Sequence, residues 1–136
     1  FKRSTLMTAL PALALYAGLN ILILIFLGIN VSRNRRRAKI SLGTGKDRAL
    51  EQACRAHGNT AENLPIALLG LIILVMLGTE TLYIHVLGTM LVIGRLLYAH
   101  GVLTSYGPSF GRLAGTGLSW LGFLATAALC LMAAFS

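Results

Sequence analysis

The sequence is poor in charged residues, acidic residues and cysteine. Only 12% of its 136 residues are charged, against about 25% in an average soluble domain. This low charge, with 56% hydrophobic residues, excludes an ordinary soluble domain and a disordered chain. The bases are concentrated in one short segment, so we predict no nucleic-acid partner. The two cysteines, Cys54 and Cys130, are too few for a disulfide scaffold and match no metal-binding spacing, so we predict no metal site.

The sequence contains long apolar runs instead of frequent charged residues. A helix needs about 20 apolar residues to cross the roughly 30 Å of hydrocarbon in a bilayer. Four runs approach or reach this length, although the second, 64–77, is short and its helix must extend backwards through polar residues. We therefore predict an all-α integral membrane protein, a four-transmembrane-helix bundle forming one domain over residues 1–136. The predicted helices cover about 6–31, 48–77, 82–103 and 112–135.

Basic residues predict the orientation of the chain in the membrane. The turn at 78–81 contains no base, whereas the first connection is strongly basic and the third contains one arginine. By the positive-inside rule, the first and third connections face the cytoplasm and both termini face the non-cytoplasmic side. The basic cluster is then a topology signal and a headgroup anchor, with a ligand site as the alternative for one of its members. Its seven bases are Arg33, Arg35, Arg36, Arg37, Lys39, Lys46 and Arg48.

Polar residues inside the second and third helices predict an internal contact. Arg55, Asn59 and Glu62 have the spacing i, i+4, i+7, which places them on one helix face. Glu62 and Arg95 both lie about 20 Å from the outer ends of their helices. A charge at that depth costs at least about 2.5–3.5 kcal/mol, so we predict that these two pair inside the bundle. The pair either fixes helix register or supports a polar cavity, which the nearby Tyr98 favours.

Small residues form a stripe along the fourth helix. They recur at helical spacing, and such a stripe lets helix backbones approach closely within a subunit or between subunits. We therefore predict close packing along this face, which comprises Gly111, Gly115, Ser119, Gly122 and Thr126.

Two segments carry a resemblance to a known family. The run EQACRAHGNTAENLP at 51–65 and the run GRLLYAHG at 94–101 resemble motifs of the MAPEG family, membrane-associated proteins in eicosanoid and glutathione metabolism. The chain is most similar to the short bacterial members, which implies a multi-pass protein of the bacterial inner membrane. The resemblance further implies a homotrimer, with glutathione bound between neighbouring subunits near the cytoplasmic face.

The resemblance also implies roles for individual residues. Arg112 matches the arginine that stabilises the glutathione thiolate, and is the implied catalytic residue. Arg95 would be the partner of Glu62. One arginine of the first connection, which we assign to Arg35, would reach glutathione from the first helix. The complete set of implied glutathione contacts is Arg55, Asn59, Glu62, Tyr98 and Arg35.

Three departures from the family pattern leave two functions open. Gly58, Val102 and Leu113 stand where some members have polar side chains. The first hypothesis is a glutathione-dependent membrane transferase or peroxidase that acts on lipophilic electrophiles. The second is a non-enzymatic accessory subunit that packs against other transmembrane proteins. Membrane lipids are expected partners in both cases.

Overall fold

Four helices make up the chain in the computed structural model, which describes residues 2–136, with the side chains of residues 2, 3, 6 and 7 left aside. They are α1 (Lys2–Ala38), α2 (Arg48–Met76), α3 (Thr81–Thr104) and α4 (Phe110–Ala134). The described residues contain no strand. All four helices are long and apolar enough to cross a membrane. The predicted all-α membrane bundle is therefore confirmed.

The first helix is longer than its apolar run. It continues for 37 residues, or about 55 Å, and so carries Arg33 and Arg35 on its last turns rather than in a loop. Two effects explain the extension: arginine is a good helix former, and basic side chains are favourable at the negative end of a helix dipole. The helix ends at Ala38, and the next residue, Lys39, has a left-handed φ of 57°.

The loop after α1 is short and internally bonded. Gly43 and Gly45 both have positive φ, which turns the chain towards α2. Asp47 then caps α2 by accepting a hydrogen bond from the amide of Leu50. Asp47 also forms an ion pair of 2.6 Å with Arg37, and this guanidinium lowers the pKa of the Asp47 carboxyl. The loop is thereby fixed to both helices.

Close backbone contact joins α3 and α4. A Cβ added at Gly111 would lie 2.8 Å from the carbonyl oxygen of Leu97, and one added at Gly115 would overlap the backbone nitrogen of Tyr98. The predicted packing along the small-residue stripe is confirmed within the chain. The buried residues of α4 are members of that stripe, Gly115, Ser119 and Gly122.

Large apolar side chains cover the outside of the bundle. Trp120 is 69% exposed, and each of the four helices also has exposed leucine or isoleucine side chains. This is expected where the solvent is hydrocarbon, because lipid chains are as apolar as leucine. The α1–α2 and α3–α4 connections lie at the same end of the bundle, called here the loop end. The candidate site residues are near it.

Candidate functional site

Arg95 is the centre of a buried polar network. Its side chain is 2% exposed, on the face of α3 that packs against α2 and α4. Nη1 donates a hydrogen bond of 2.7 Å to Oδ1 of Asn59, and Nη2 donates one of 2.6 Å to Oγ of Ser119. The hydroxyl of Ser119 in turn donates to the carbonyl of Gly115 at 2.8 Å. The guanidinium thus links three helices through neutral partners.

The predicted ion pair between Glu62 and Arg95 is wrong. Oε1 of Glu62 lies 3.8 Å from Nη1 of Arg55 instead, and these two side chains form an ion pair on the exposed face of α2. The prediction rested on the similar distances of Glu62 and Arg95 from the ends of their helices, but such a distance does not fix the direction of a side chain about its helix axis. Arg95 points into the bundle, where the neutral oxygens of Asn59 and Ser119 accept from Nη1 and Nη2, while the buried Nε has no partner among the described residues.

Asn59 presents a defined chemical group to its surroundings. Its Oδ1 is occupied by Arg95, whereas Nδ2 has no hydrogen-bond partner among the described residues. The side chain is half-buried, so the amide N–H groups remain accessible. Asn59 can therefore donate to a ligand carbonyl or carboxylate through Nδ2.

A polar cleft at the loop end brings Arg55 and Arg112 together. Its volume is about 220 Å³, and it lies between the start of α2, the end of α3 and the start of α4. Ser109 caps α4 by accepting from the amide of Arg112, and Nη1 of Arg112 donates to the carbonyl of Gly107 at 3.2 Å. Its full lining is Glu51, Gln52, Arg55, Val102, Ser105, Tyr106 and Arg112.

Tyr106 closes one side of this cleft. Its hydroxyl donates a hydrogen bond of 2.6 Å to Glu51, and the guanidinium of Arg48 lies 4.6 Å from the centre of its ring. The carboxylate of Glu51 raises the pKa of Tyr106, because it accepts the phenol proton in this bond. Tyr106 and Glu51 were not among the site residues predicted from the sequence. The available signal was a tyrosine within a loop of small residues, Ser105–Ser109.

Of the predicted glutathione contacts, Arg55 lines this cleft, whereas Asn59, Glu62, Arg35 and Tyr98 do not. Arg35 donates to the carbonyls of Gly43 at 2.8 Å and Ile40 at 3.4 Å, and to Sγ of Cys54 at 3.6 Å. It therefore holds the α1–α2 loop within its own chain. Tyr98 is buried, with its ring centre 5.4 Å from the guanidinium carbon of Arg95. Roles for either residue at a subunit boundary stay predictions.

An apolar groove begins beside the polar network. It has a volume of about 330 Å³ and runs between α2 and α4 towards the opposite end of the bundle. Ser119, which accepts from Arg95, is one of its lining residues, and Ile66, Phe123 and Thr126 continue it. Ile66 follows Glu62 by four residues on α2, which places it one turn further along the same face. The polar side chains of α2 are thus continuous with an apolar surface.

Comparison with known proteins gives one family and two relatives. The sequence profile of the MAPEG family matches residues 13–135. The chain is 38% identical over 88 residues to the inner membrane protein YecN of Escherichia coli K12. The aligned region covers 65% of this chain and 67% of the relative. The YecN protein of Escherichia coli O6:H1 matches with the same identity and coverage.

Proposed function

Because the chain belongs to the MAPEG family, we propose that it is a glutathione-dependent transferase or peroxidase that acts on lipophilic electrophiles. It is a multi-pass protein of the bacterial inner membrane, by its four spanning helices and by the similarity to YecN. The observation that carries the proposal is the convergence of Arg55 and Arg112 in one cleft. Arg55 is one helical turn from Asn59, whose orientation Arg95 fixes.

The charges of the cleft match glutathione. This peptide has two carboxylates and one ammonium at neutral pH, so it is a net anion. Arg55 and Arg112 each offer a planar fork of donors that fits a carboxylate, and Asn59 adds further donors. Glu51 or Glu62 can accept from the ammonium. Asn59 is thereby assigned to the carbonyl or carboxylate side of the peptide, because Oδ1 already accepts from Arg95 and the group without a partner is the Nδ2 donor.

Arg112 is the proposed catalytic residue. A thiol attacks only as its thiolate, and a nearby guanidinium lowers the thiol pKa by stabilising the negative sulfur. In the transferase reaction the thiol passes its proton to water, and the sulfur forms a bond to the electrophilic carbon as the leaving group departs with the bonding electrons. Ser109 and Gly107 hold Arg112 at the start of α4, where its guanidinium borders the cleft.

The groove between α2 and α4 suits the second substrate. A lipophilic electrophile is concentrated in the bilayer, so it reaches the protein laterally rather than from water. The groove is lined almost entirely by apolar side chains and borders Ser119 beside the polar network. Holding the electrophile there would bring its reactive end towards the thiolate, and this proximity supplies part of the rate acceleration.

The exposed charges on α2 support a homotrimer. The side chains of Arg55 and Glu62 are 54% and 63% exposed in the single chain. Glu62 lies 14 residues from the end of α2 at Met76, or about 21 Å, which is within the hydrocarbon depth of a bilayer. Charged side chains at this depth face protein or a water-filled cavity rather than lipid. A neighbouring subunit that covers this face would complete the glutathione site.

Ligand-dependent thermal stability tests the proposal. Purified protein in detergent should show a saturable rise in unfolding temperature with glutathione, and Arg55→Ala and Arg112→Ala should abolish it. Arg36→Ala is the matched control, because this exposed arginine lies outside the cleft. Absence of any rise in protein that stays monodisperse would overturn the proposal.

The exposed face of α4 favours the second candidate, an accessory subunit without catalysis. Phe110, Leu113 and Trp120 are 82%, 77% and 69% exposed. Large apolar and aromatic side chains of this kind also form contacts between transmembrane proteins. This candidate gains support if the glutathione response is absent and a stoichiometric transmembrane partner co-purifies, with Trp120→Ala reducing that partner's recovery.

A further inference from the structure

The bases of the α1–α2 connection fall into two structural groups. Arg35 is bonded to loop carbonyls, Arg37 to Asp47, and Arg48 lies over the ring of Tyr106. The other four are exposed, and none has a carboxylate within ion-pair distance among the described residues. They are Arg33, Arg36, Lys39 and Lys46, called here the free bases.

Nearby acids cannot neutralise the free bases. Asp47 is engaged by Arg37 and by the amide of Leu50. Glu51 accepts the hydrogen bond of Tyr106. Four positive charges are therefore presented together on one short segment with both neighbouring carboxylates occupied. An anionic partner would gain from all four without displacing an existing ion pair.

Leu42 lies within this basic segment and is 91% exposed. Arg35 holds the carbonyls of Ile40 and Gly43, on either side of Leu42, and so folds the loop back against the last turns of α1. Leu42 is thereby kept beside the helix end. An exposed leucine surrounded by bases combines two features of surfaces that bind at the interface of a bilayer.

The position of the segment along α1 agrees with the headgroup layer. Residues from Thr8 to Val31 cover 24 positions, or about 36 Å, which already exceeds the roughly 30 Å of hydrocarbon. Arg33 follows two residues later, and Arg36 lies one turn beyond it on a neighbouring part of the helix surface. The free bases therefore lie where lipid phosphates are found.

We propose that the free bases and Leu42 form a docking surface for an anionic phospholipid. The guanidinium groups of Arg33 and Arg36 would bind the lipid phosphate, with Lys39 and Lys46 adding electrostatic attraction. Leu42 would contact the upper part of the acyl chains. This surface is separate from the glutathione cleft and does not depend on the proposed function.

Lipid titration of the purified full chain, followed by native mass spectrometry, tests the proposal. Wild-type protein should bind phosphatidylglycerol in preference to phosphatidylcholine with the same acyl chains, and salt should weaken the preference. The double variant Arg33→Gln with Arg36→Gln should bind phosphatidylglycerol about 25-fold more weakly, because each base near an anionic surface contributes about fivefold. Lys2→Gln with Arg3→Gln removes the same charge at the start of α1 and should bind as wild type.

Two further arms identify the ligand source. Leu42→Ser should lose affinity for long-chain phosphatidylglycerol and keep its affinity for a short-chain, water-soluble form. Millimolar inorganic phosphate should not displace the lipid. Equal binding of both lipid types by wild type, wild-type affinity in the Arg33/Arg36 variant, or displacement by phosphate would each overturn the proposal. If that variant is not monodisperse, the salt dependence and Leu42→Ser decide.

Discussion

The side-chain oxygen of Asn59 accepts a hydrogen bond from Nη1 of Arg95 at 2.7 Å, across the contact between α2 and α3. The bond gives a partner to one nitrogen of a buried guanidinium and at the same time leaves the amide nitrogen of Asn59 as the accessible group. Fold stability and ligand orientation therefore depend on the same side chain. Two substitutions at this position separate them.

Asn59→Asp should separate binding from stability. A carboxylate still accepts from Arg95 and adds an attractive charge, so we expect a thermal midpoint at or above that of wild type. It offers no N–H donor and repels a ligand carboxylate, so the glutathione response should fall at least about tenfold, which corresponds to roughly 1.4 kcal/mol. Asn59→Ala should lose both thermal stability and the glutathione response. It leaves Nη1 of Arg95 unsatisfied, at a cost of about 1.5–3 kcal/mol. An undiminished glutathione response in Asn59→Asp would contradict the assigned orientation of the amide.

Ser119→Ala should destabilise the bundle. The hydroxyl is the partner of Nη2 of Arg95 in the buried network, and its removal leaves a buried charged donor unsatisfied. We expect a loss of about 1–3 kcal/mol, measured as a lower thermal midpoint in detergent. Thr126→Val is the control, because the hydroxyl of Thr126 bonds to the Gly122 carbonyl of its own helix. Equal losses in the two variants would show that the bond to Arg95 contributes nothing specific.

The four helices were predicted from the sequence, whereas the buried network around Arg95 was predicted only in part. The length of the apolar runs determined the four helices, because the thickness of the bilayer sets the length of a spanning helix. The sequence also predicted that Arg95 has a polar partner inside the bundle, and the structure confirms this with Asn59 and Ser119. The predicted partner, Glu62, was wrong, because a neutral serine on α4 carries no sequence signal as an ion partner and helix rotation depends on packing between Gly94, Gly115 and Ser119. The end of α1 was missed because a change from apolar to basic residues ends a membrane run without ending a helix.

Glu51→Gln should lower the pKa of Tyr106 towards its ordinary value. The carboxylate of Glu51 stabilises the protonated phenol, so in wild type the phenol loses its proton only above the usual range near 10. The hydrogen bond from Tyr106 to Glu51 is fully present below the ordinary pKa of tyrosine, and it is lost as the pH rises through the raised pKa of Tyr106. Ultraviolet titration of phenolate, with the Tyr106→Phe spectrum subtracted, measures the shift. Identical titration curves in wild type and Glu51→Gln would exclude this contact in solution.

Asp47→Asn should loosen the α1–α2 loop in a pH-dependent way. Arg37 and the amide of Leu50 lower the pKa of Asp47, so its stabilising contribution is present above the ordinary carboxyl pKa and is lost as the pH falls through the lowered value. Hydrogen exchange of residues 39–50 should therefore be faster in Asp47→Asn than in wild type at neutral pH. Below the lowered pKa the two proteins should exchange alike. A difference that persists when Asp47 is protonated would point to a cause other than its charge.

Two glycines of α4 give a matched test of the contact with α3. A Cβ at Gly115 would overlap the backbone of Tyr98, whereas one at Gly117 meets no atom within 4 Å. Both substitutions to alanine gain the same helix propensity, about 1 kcal/mol, so their difference isolates packing. We expect Gly117→Ala to keep or raise the thermal midpoint and Gly115→Ala to lower stability by about 1–3 kcal/mol. Because the same contact positions Ser119 against Arg95, Gly115→Ala should also weaken the glutathione response. A Gly115→Ala protein as stable as Gly117→Ala would mean that the backbones of α3 and α4 are not in contact at Gly115.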